Sequence, residues 1–234
     1  MIKSYKEMPI GLFFRVQALI LNEPDEQEWA VPVLALLTGR TDADLLNAPL
    51  TEFSSLMRQA DFLCRPPETG RVKASYKAGD FDLVPTLQTN KVTAAQYIDF
   101  QSYCKTEDDA ARVVGVLSCM LVPRGKRYCD GYDAGAVQDA IREHMTVEDA
   151  LSLNAFFFDA LDKSAERTLI YSERMLRRIE KMTDSPRKEK SLQRARTQLE
   201  TLKRQRDSIA AGAGSLMSTP FQRLSAVLGM RFGL

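Results

Sequence analysis

TVEDALSLNAFFFDALDKSAERTLIYSERMLRRIEKM, residues 146–182, contains neither proline nor glycine, and the next helix breaker is Pro186. Thr146 opens the stretch with Asp149 three residues on, the spacing of a helix cap. The pattern predicts one helix of about 35 residues, long for a globular protein. Leu151, Leu153, Phe156, Phe157 and Phe158 make its first part apolar on nearly every side, as in a helix buried in a core. Beyond Leu161 the apolar residues thin to a stripe through Thr168, Ser172, Met175, Ile179 and Met182, with charges elsewhere. Thr183-Asp184-Ser185-Pro186 then reads as a restart, with Ser185 as N-cap and Pro186 at the first helical position. Leu192, Ala195, Leu199, Leu202, Arg206 and Ile209 follow at steps of 3, 4, 3, 4 and 3, a heptad seam with one arginine in it. These two helices fit an antiparallel hairpin projecting from a helical body.

Downstream, Ala210-Ala211-Gly212-Ala213-Gly214 reads as a hinge. Thr219 and Pro220 start a last short helix with Phe221, Leu224 and Leu228 on one face. Alone in water it is too short to be stable, so it is expected to dock on the body, a second copy or a partner. The residues expected to bind partners are therefore Leu192, Leu199, Leu202, Ile209, Phe221, Leu224 and Leu228.

Upstream, the chain reads as short helices between clear stops. Ile10, Phe13, Phe14, Gln17 and Ile20 suggest an amphipathic first helix, with Pro9 in its first turn. Asp25 is placed to cap a second helix, from about Glu26 to Leu37, that ends at Gly39; Pro32 inside it predicts a kink or a break. Thr41 and Asp44 have capping-box spacing. Phe53, Leu56, Met57, Ala60 and Leu63 share one face of a helix from about Thr51 to Leu63. Val72 to Tyr76 and Phe81 to Val84 flank Lys77-Ala78-Gly79-Asp80 and predict one small β-hairpin. Thr93 and Gln96 form a second capping box, Thr106 caps a buried helix through Met120, and Asp133 starts another through Ile141. The predicted class is mainly α. A body over 1–160 carries a short β-hairpin near 72–84, a basic helical hairpin covers 161–209, and a hinge and amphipathic tail cover 210–234.

The 234 residues carry a net charge of +1, which hides an asymmetry. Residues 1–162 hold 16 Lys/Arg against 24 Asp/Glu, and residues 163–206 hold 14 against 6. An acidic body with a basic arm points to partner contacts more than to catalysis. Hydrophobic residues make up 44%, enough for a core. No stretch approaches the roughly 18 apolar residues of a membrane span, and the start has no signal-peptide pattern. That places the protein in a reducing cytoplasm.

Chemistry-bearing residues are sparse. Cys64, Cys104, Cys119 and Cys129 form no CxxC pair, and His144 is the only histidine, so zinc spacing is absent. Reduced cysteines used as small apolar fillers explain them better. His144 closes a helix, where an imidazole suits the dipole, and no nucleophile motif accompanies it. Glu107, Asp108 and Asp109 offset a dipole in a first turn, with no EF-hand pattern around them. The loop Pro123-Arg124-Gly125-Lys126-Arg127 is a candidate anion contact, through Arg124, Lys126 and Arg127, but it lacks phosphate-loop spacing, and a structured loop or a protein contact explains it better, with nucleic acid a minority reading. The basic hairpin could neutralise phosphates. Against that, its acids Glu173, Glu180, Glu189 and Glu200 break the field, and no aromatic follows Tyr171 until Phe221. No catalytic, cofactor or metal residue is assigned.

Three phrases carry a resemblance: Met8-Pro9-Ile10-Gly11; Thr93-Ala94-Ala95-Gln96-Tyr97-Ile98-Asp99-Phe100-Gln101; and Leu121-Val122-Pro123-Arg124-Gly125-Lys126-Arg127-Tyr128 leading to Asp130-Gly131-Tyr132-Asp133. Together they resemble structural or assembly proteins of tailed phages and prophages of Bacteroidetes-type hosts, the crAss-like group included. The resemblance covers roughly residues 1–160 and carries no active-site residue. It implies a protein of the virion or tail gene region, in the host cytoplasm during assembly and in the virion afterwards if it stays. Other virion or tail proteins and further copies of the chain would be its partners. A tail assembly chaperone absent from the particle is the alternative, and a nucleic-acid-binding protein is the alternative of another class.

Overall fold

Side-chain caps set most of the helix starts. The computed structural model describes residues 1–22, 26–86, 91–181, 189–204 and 207. In it α1 (Ile10–Asn22), α2 (Glu26–Thr38), α3 (Asp42–Leu46) and α4 (Leu50–Gln59) come first, followed by a 3-10 turn at Asp61–Cys64. Next come β1 (Tyr76–Ala78), β2 (Phe81–Pro85), α5 (Ala94–Tyr103), α6 (Asp109–Met120), β3 (Leu121–Pro123), α7 (Ala134–His144) and α8 (Val147–Glu180). Thr41 and Thr93 close reciprocal capping boxes with Asp44 and Gln96. Asp133 accepts the amides of Gly135 and Ala136, and Thr146 accepts that of Asp149. Pro9 stands just before α1 and its carbonyl accepts the Phe13 amide at 3.1 Å. The protein is mainly helical with one small antiparallel sheet, the class expected from the periodicity.

The described residues divide into two compact units, one over Met1–Asn154 and the other beginning at Ala155. The expected hinge at 210–214, the tail residues Phe221, Leu224 and Leu228, the seam residue Ile209, the cap Asp25 and the restart at 183–186 lie outside the described residues.

In the first unit α1 packs on α2, α6 and α7, and α6 packs on α5 and α7. Met8, Ile10, Phe13, Ile20, Leu34, Leu45, Leu83, Leu117, Met120, Leu121, Ile141 and Leu153 are almost wholly buried. The start of the chain is pinned to the start of α8. Pro9 bridges Thr146, the Ile10 amide donates to the Met145 carbonyl at 2.8 Å, and the Val147 amide donates to the Met8 carbonyl at 2.9 Å. Gly11 lets α1 approach α7 closely: a Cβ there would lie 2.7 Å from the Arg142 carbonyl oxygen. The phrase Met8-Pro9-Ile10-Gly11 is thus architectural.

Four local expectations need correction. Pro32 does not break α2, which runs through it to Thr38. The helix expected from Thr51 to Leu63 ends at Gln59, and Ala60 leads into the 3-10 turn. The Thr106 cap gives way to Asp108, whose carboxylate accepts the Ala111 amide at 2.6 Å and starts α6 at Asp109. The hairpin begins at Tyr76 rather than Val72, and its turn is tighter, Gly79-Asp80, because Lys77 and Ala78 pair with Asp82 and Phe81. The sheet also gains a third strand in order β1-β2-β3. β3 lies in what the sequence presents as a loop, with Leu83, Val84 and Pro85 opposite Pro123, Val122 and Leu121.

Candidate functional site

The second unit shows what a thin helical seam leaves exposed. Along α8 beyond Asn154, Phe157 and Phe158 are buried first; farther on Leu169 is buried and Ala165, Ser172, Leu176 and Ile179 are half-buried. These steps of 4, 3, 4 and 3 make a heptad stripe. Ser172 and Ile179 are two of the positions read in the sequence, while Thr168 and Met175 are exposed and give way to their neighbours Leu169 and Leu176; Met182 lies outside the described residues. On the helical segment 189–204, Leu199 is buried and Leu192, Ala195 and Leu202 are half-buried. Glu180 accepts an ion pair from Arg196 at 3.5 Å, which ties the two segments. Leu199 is therefore already covered within the chain.

Opposite that stripe, α8 presents another face. Arg167, Ile170, Tyr171, Arg174, Met175 and Arg178 fall on one side at helical spacing, and all six are exposed. Tyr171 is 64% exposed and Ile170 41%, far more than the seam residues. The four arginines of this helix end, Arg167, Arg174, Arg177 and Arg178, make no ion pair among the described residues. Tyr and Arg on one unburied face are the residue types that dominate protein contacts.

In the first unit the loop after β3 forms one wall of an open cleft of about 780 Å³. Val84 and Val122, cross-strand partners on the face of the sheet away from Leu83, make its floor. Lys91, Arg124, Lys126 and Arg127 line it, with Thr86, Thr93, Gln96 and Tyr128. Of the three cations singled out in the sequence, Arg124 is engaged: its Nε donates to Asp82 Oδ2 at 2.5 Å and its amide to the Asp82 carbonyl at 2.8 Å. That guanidinium holds the Asp82 carboxyl below its usual range. Lys126 and Arg127 are exposed, and neither has an acidic partner among the described residues.

Beneath the cleft, two of the quoted phrases meet. Tyr128 donates its hydroxyl to Asp99 Oδ2 at 2.8 Å, and Cys119 Sγ lies 3.6 Å from the Tyr128 hydroxyl oxygen. Gln96 donates its amide to the Cys119 carbonyl at 2.9 Å while its oxygen accepts the Thr93 amide. Burial, then the neighbouring Cys119 and Asp99, push the Tyr128 hydroxyl far up. Burial likewise pushes the Cys119 thiol up to about 12, so it stays a protonated filler at neutral pH. The network locks α5, α6 and the loop together, and it went unnoticed in the sequence because its members lie far apart along the chain.

The remaining candidates have structural employment. Asp108 caps α6 and Asp109 pairs with Arg112. His144 ends α7 against the hairpin turn, its ring about 3 Å from where a Gly79 Cβ would stand. Among the described residues no group of three or more His, Cys, Asp or Glu is placed to hold a metal ion, and no helix is long and apolar enough to cross a membrane. Compared with protein-family models, curated proteins and solved structures, the chain gives no match.

Proposed function

We propose that this chain is a non-enzymatic structural or assembly protein of a tailed phage or prophage, acting through protein contacts as a virion component near the portal, neck or tail. The observation that carries the contact reading is the outward face of α8. Ile170, Tyr171 and Met175 stand in water there beside Arg167, Arg174 and Arg178. A seam with so little burial gains little from its own packing, and an outer face of this composition gains from being covered. The resemblance of three phrases to phage assembly proteins supplies the setting, and an acidic surface on a neighbouring subunit, including another copy of this chain, suits the charge.

The same exposed apolar side chains favour a second reading, a tail assembly chaperone that leaves before the particle matures. Arginines with no ion pair among the described residues also suit phosphate, and a nucleic-acid role would show as a steep loss of binding with salt.

Quantitative mass spectrometry of purified particles from the phage or prophage encoding the chain separates these readings. A fixed copy number supports a virion component; absence from particles with abundance in the infected cell overturns it in favour of a chaperone. Tyr171→Ala with Arg174→Glu should abolish incorporation while the first unit stays folded, and unchanged incorporation would remove the α8 face from the account.

A further inference from the structure

We propose that the cleft over the β2–β3 face is a second, separate contact site, one that seats an acidic, partly apolar peptide segment of a partner protein. Its rim is cationic: Lys91, Lys126 and Arg127 have no acidic partner among the described residues, and Arg124 holds only the Asp82 it already engages. The N-terminal end of α5 opens on the same space through Thr93 and adds its positive dipole end. The floor is apolar, with Val84 and Val122 half-buried and flanked by prolines. A ligand that matches both must offer carboxylates to the rim and an aliphatic side chain to the floor. The volume of about 780 Å³ lies in the range of ligand sites and far exceeds what one bare anion fills.

The polar groups around the cleft argue against a phosphate site. Gly125, at φ +77°, turns the loop, and the Lys126 amide donates back to the Pro123 carbonyl at 2.9 Å. The Arg124 amide is on Asp82, so two amides of the loop are already engaged within the chain and are not offered to a phosphate. Gln96 is committed to Cys119, Thr86 and Thr93. Strand addition is closed as well. β3 is an edge strand, but Pro123 has no amide and the Leu121 amide donates to Leu117. What is left to recognise a partner is side-chain charge over an apolar floor, the chemistry of an acidic peptide.

The test uses the full chain and a fluorescent synthetic peptide of glutamates interspersed with leucines, read by anisotropy, with inorganic phosphate and single-stranded DNA as competitors at matched ionic strength. The expected result is saturable peptide binding that weakens by about tenfold or more in Lys126→Glu with Arg127→Glu. Both side chains are exposed, and an unchanged melting temperature confirms that the variant folds. Lys126→Ala should give a smaller loss, and Arg174→Glu on α8 none, so that failure of the cleft and failure of the α8 face are told apart. Absence of binding, binding untouched by the charge reversal, or displacement by phosphate or DNA ahead of unlabelled peptide would each overturn the proposal.

Discussion

The two units of this chain use helices in opposite ways. In Met1–Asn154 a helix earns its place by what it covers: α6 has every residue from Val113 to Met120 buried, between α5 and α7. In the second unit Phe157 and Phe158 are buried near its start, and farther along the seam of the two helical segments buries only Leu169 and Leu199 among the described residues. At about 25 cal/mol per Å² of apolar surface, the first arrangement supports itself and the second has little surplus over its ordering entropy. A core makes a body rigid; a thin seam makes an arm whose stability depends on what it touches.

That contrast can be broken by mutation. Leu117→Ala, in the middle of α6 and fully buried, should cost about 4 kcal/mol and lower the melting temperature of the whole first unit. A cost under about 1 kcal/mol, read from a denaturant titration, would mean that the core is looser than its burial says. Gly11→Ala should cost about 2 to 3 kcal/mol, because the new Cβ meets not only the Arg142 side chain but also its carbonyl, which cannot rotate away. Leu199→Ala should cost about 1 kcal/mol, confined to the second unit, with the main melting transition unmoved. If it instead shifts that transition as Leu117→Ala does, the two regions fold as one and the contrast fails.

The smallest effect sharpens the electrostatics of the cleft. The Asp82 carboxyl is held below its ordinary range by the Arg124 guanidinium. Its folded pKa is lower than its unfolded one, so its contribution is present above the unfolded carboxylate value and is lost as pH falls through the folded value. Asp82→Asn should therefore leave stability slightly lower at pH 7 and the same as the parent in strong acid. Thermal melts across that range check it, and a gap that persists in acid would detach Asp82 from this pairing.

How far the sequence was readable follows from whether a signal is local. Thr41 with Asp44 and Thr93 with Gln96 are capping boxes three residues wide, and both form as their spacing predicts. Leu121–Pro123 carries no periodicity to detect, being three residues with a proline, and its pairing partner lies far upstream at Leu83 to Pro85. Asp108 took the cap from Thr106 because either can start a helix and the packing of α6 chose the register. Two positions of the α8 seam changed for a similar reason. Leu169 follows Thr168 and Leu176 follows Met175, so either member of each pair fits a stripe that also holds Ser172 and Ile179. The structure covers Leu169 and half-covers Leu176, and leaves Tyr171 and Met175 on the outer face. The basic loop at Arg124 to Arg127 was legible as charge, while its apolar floor and the Asp99–Tyr128 lock beneath it belong to tertiary structure.

The central claim, that the first unit is a self-sufficient support and the basic hairpin a contact element with little stability of its own, is tested most directly by hydrogen exchange on the full chain, read by mass spectrometry. The account predicts that peptides from α6 exchange only through global unfolding, while those from 189–204 exchange through local opening that costs far less. Equal protection in the two regions would contradict it, because a hairpin as stable as the core would not need a partner to hold its shape.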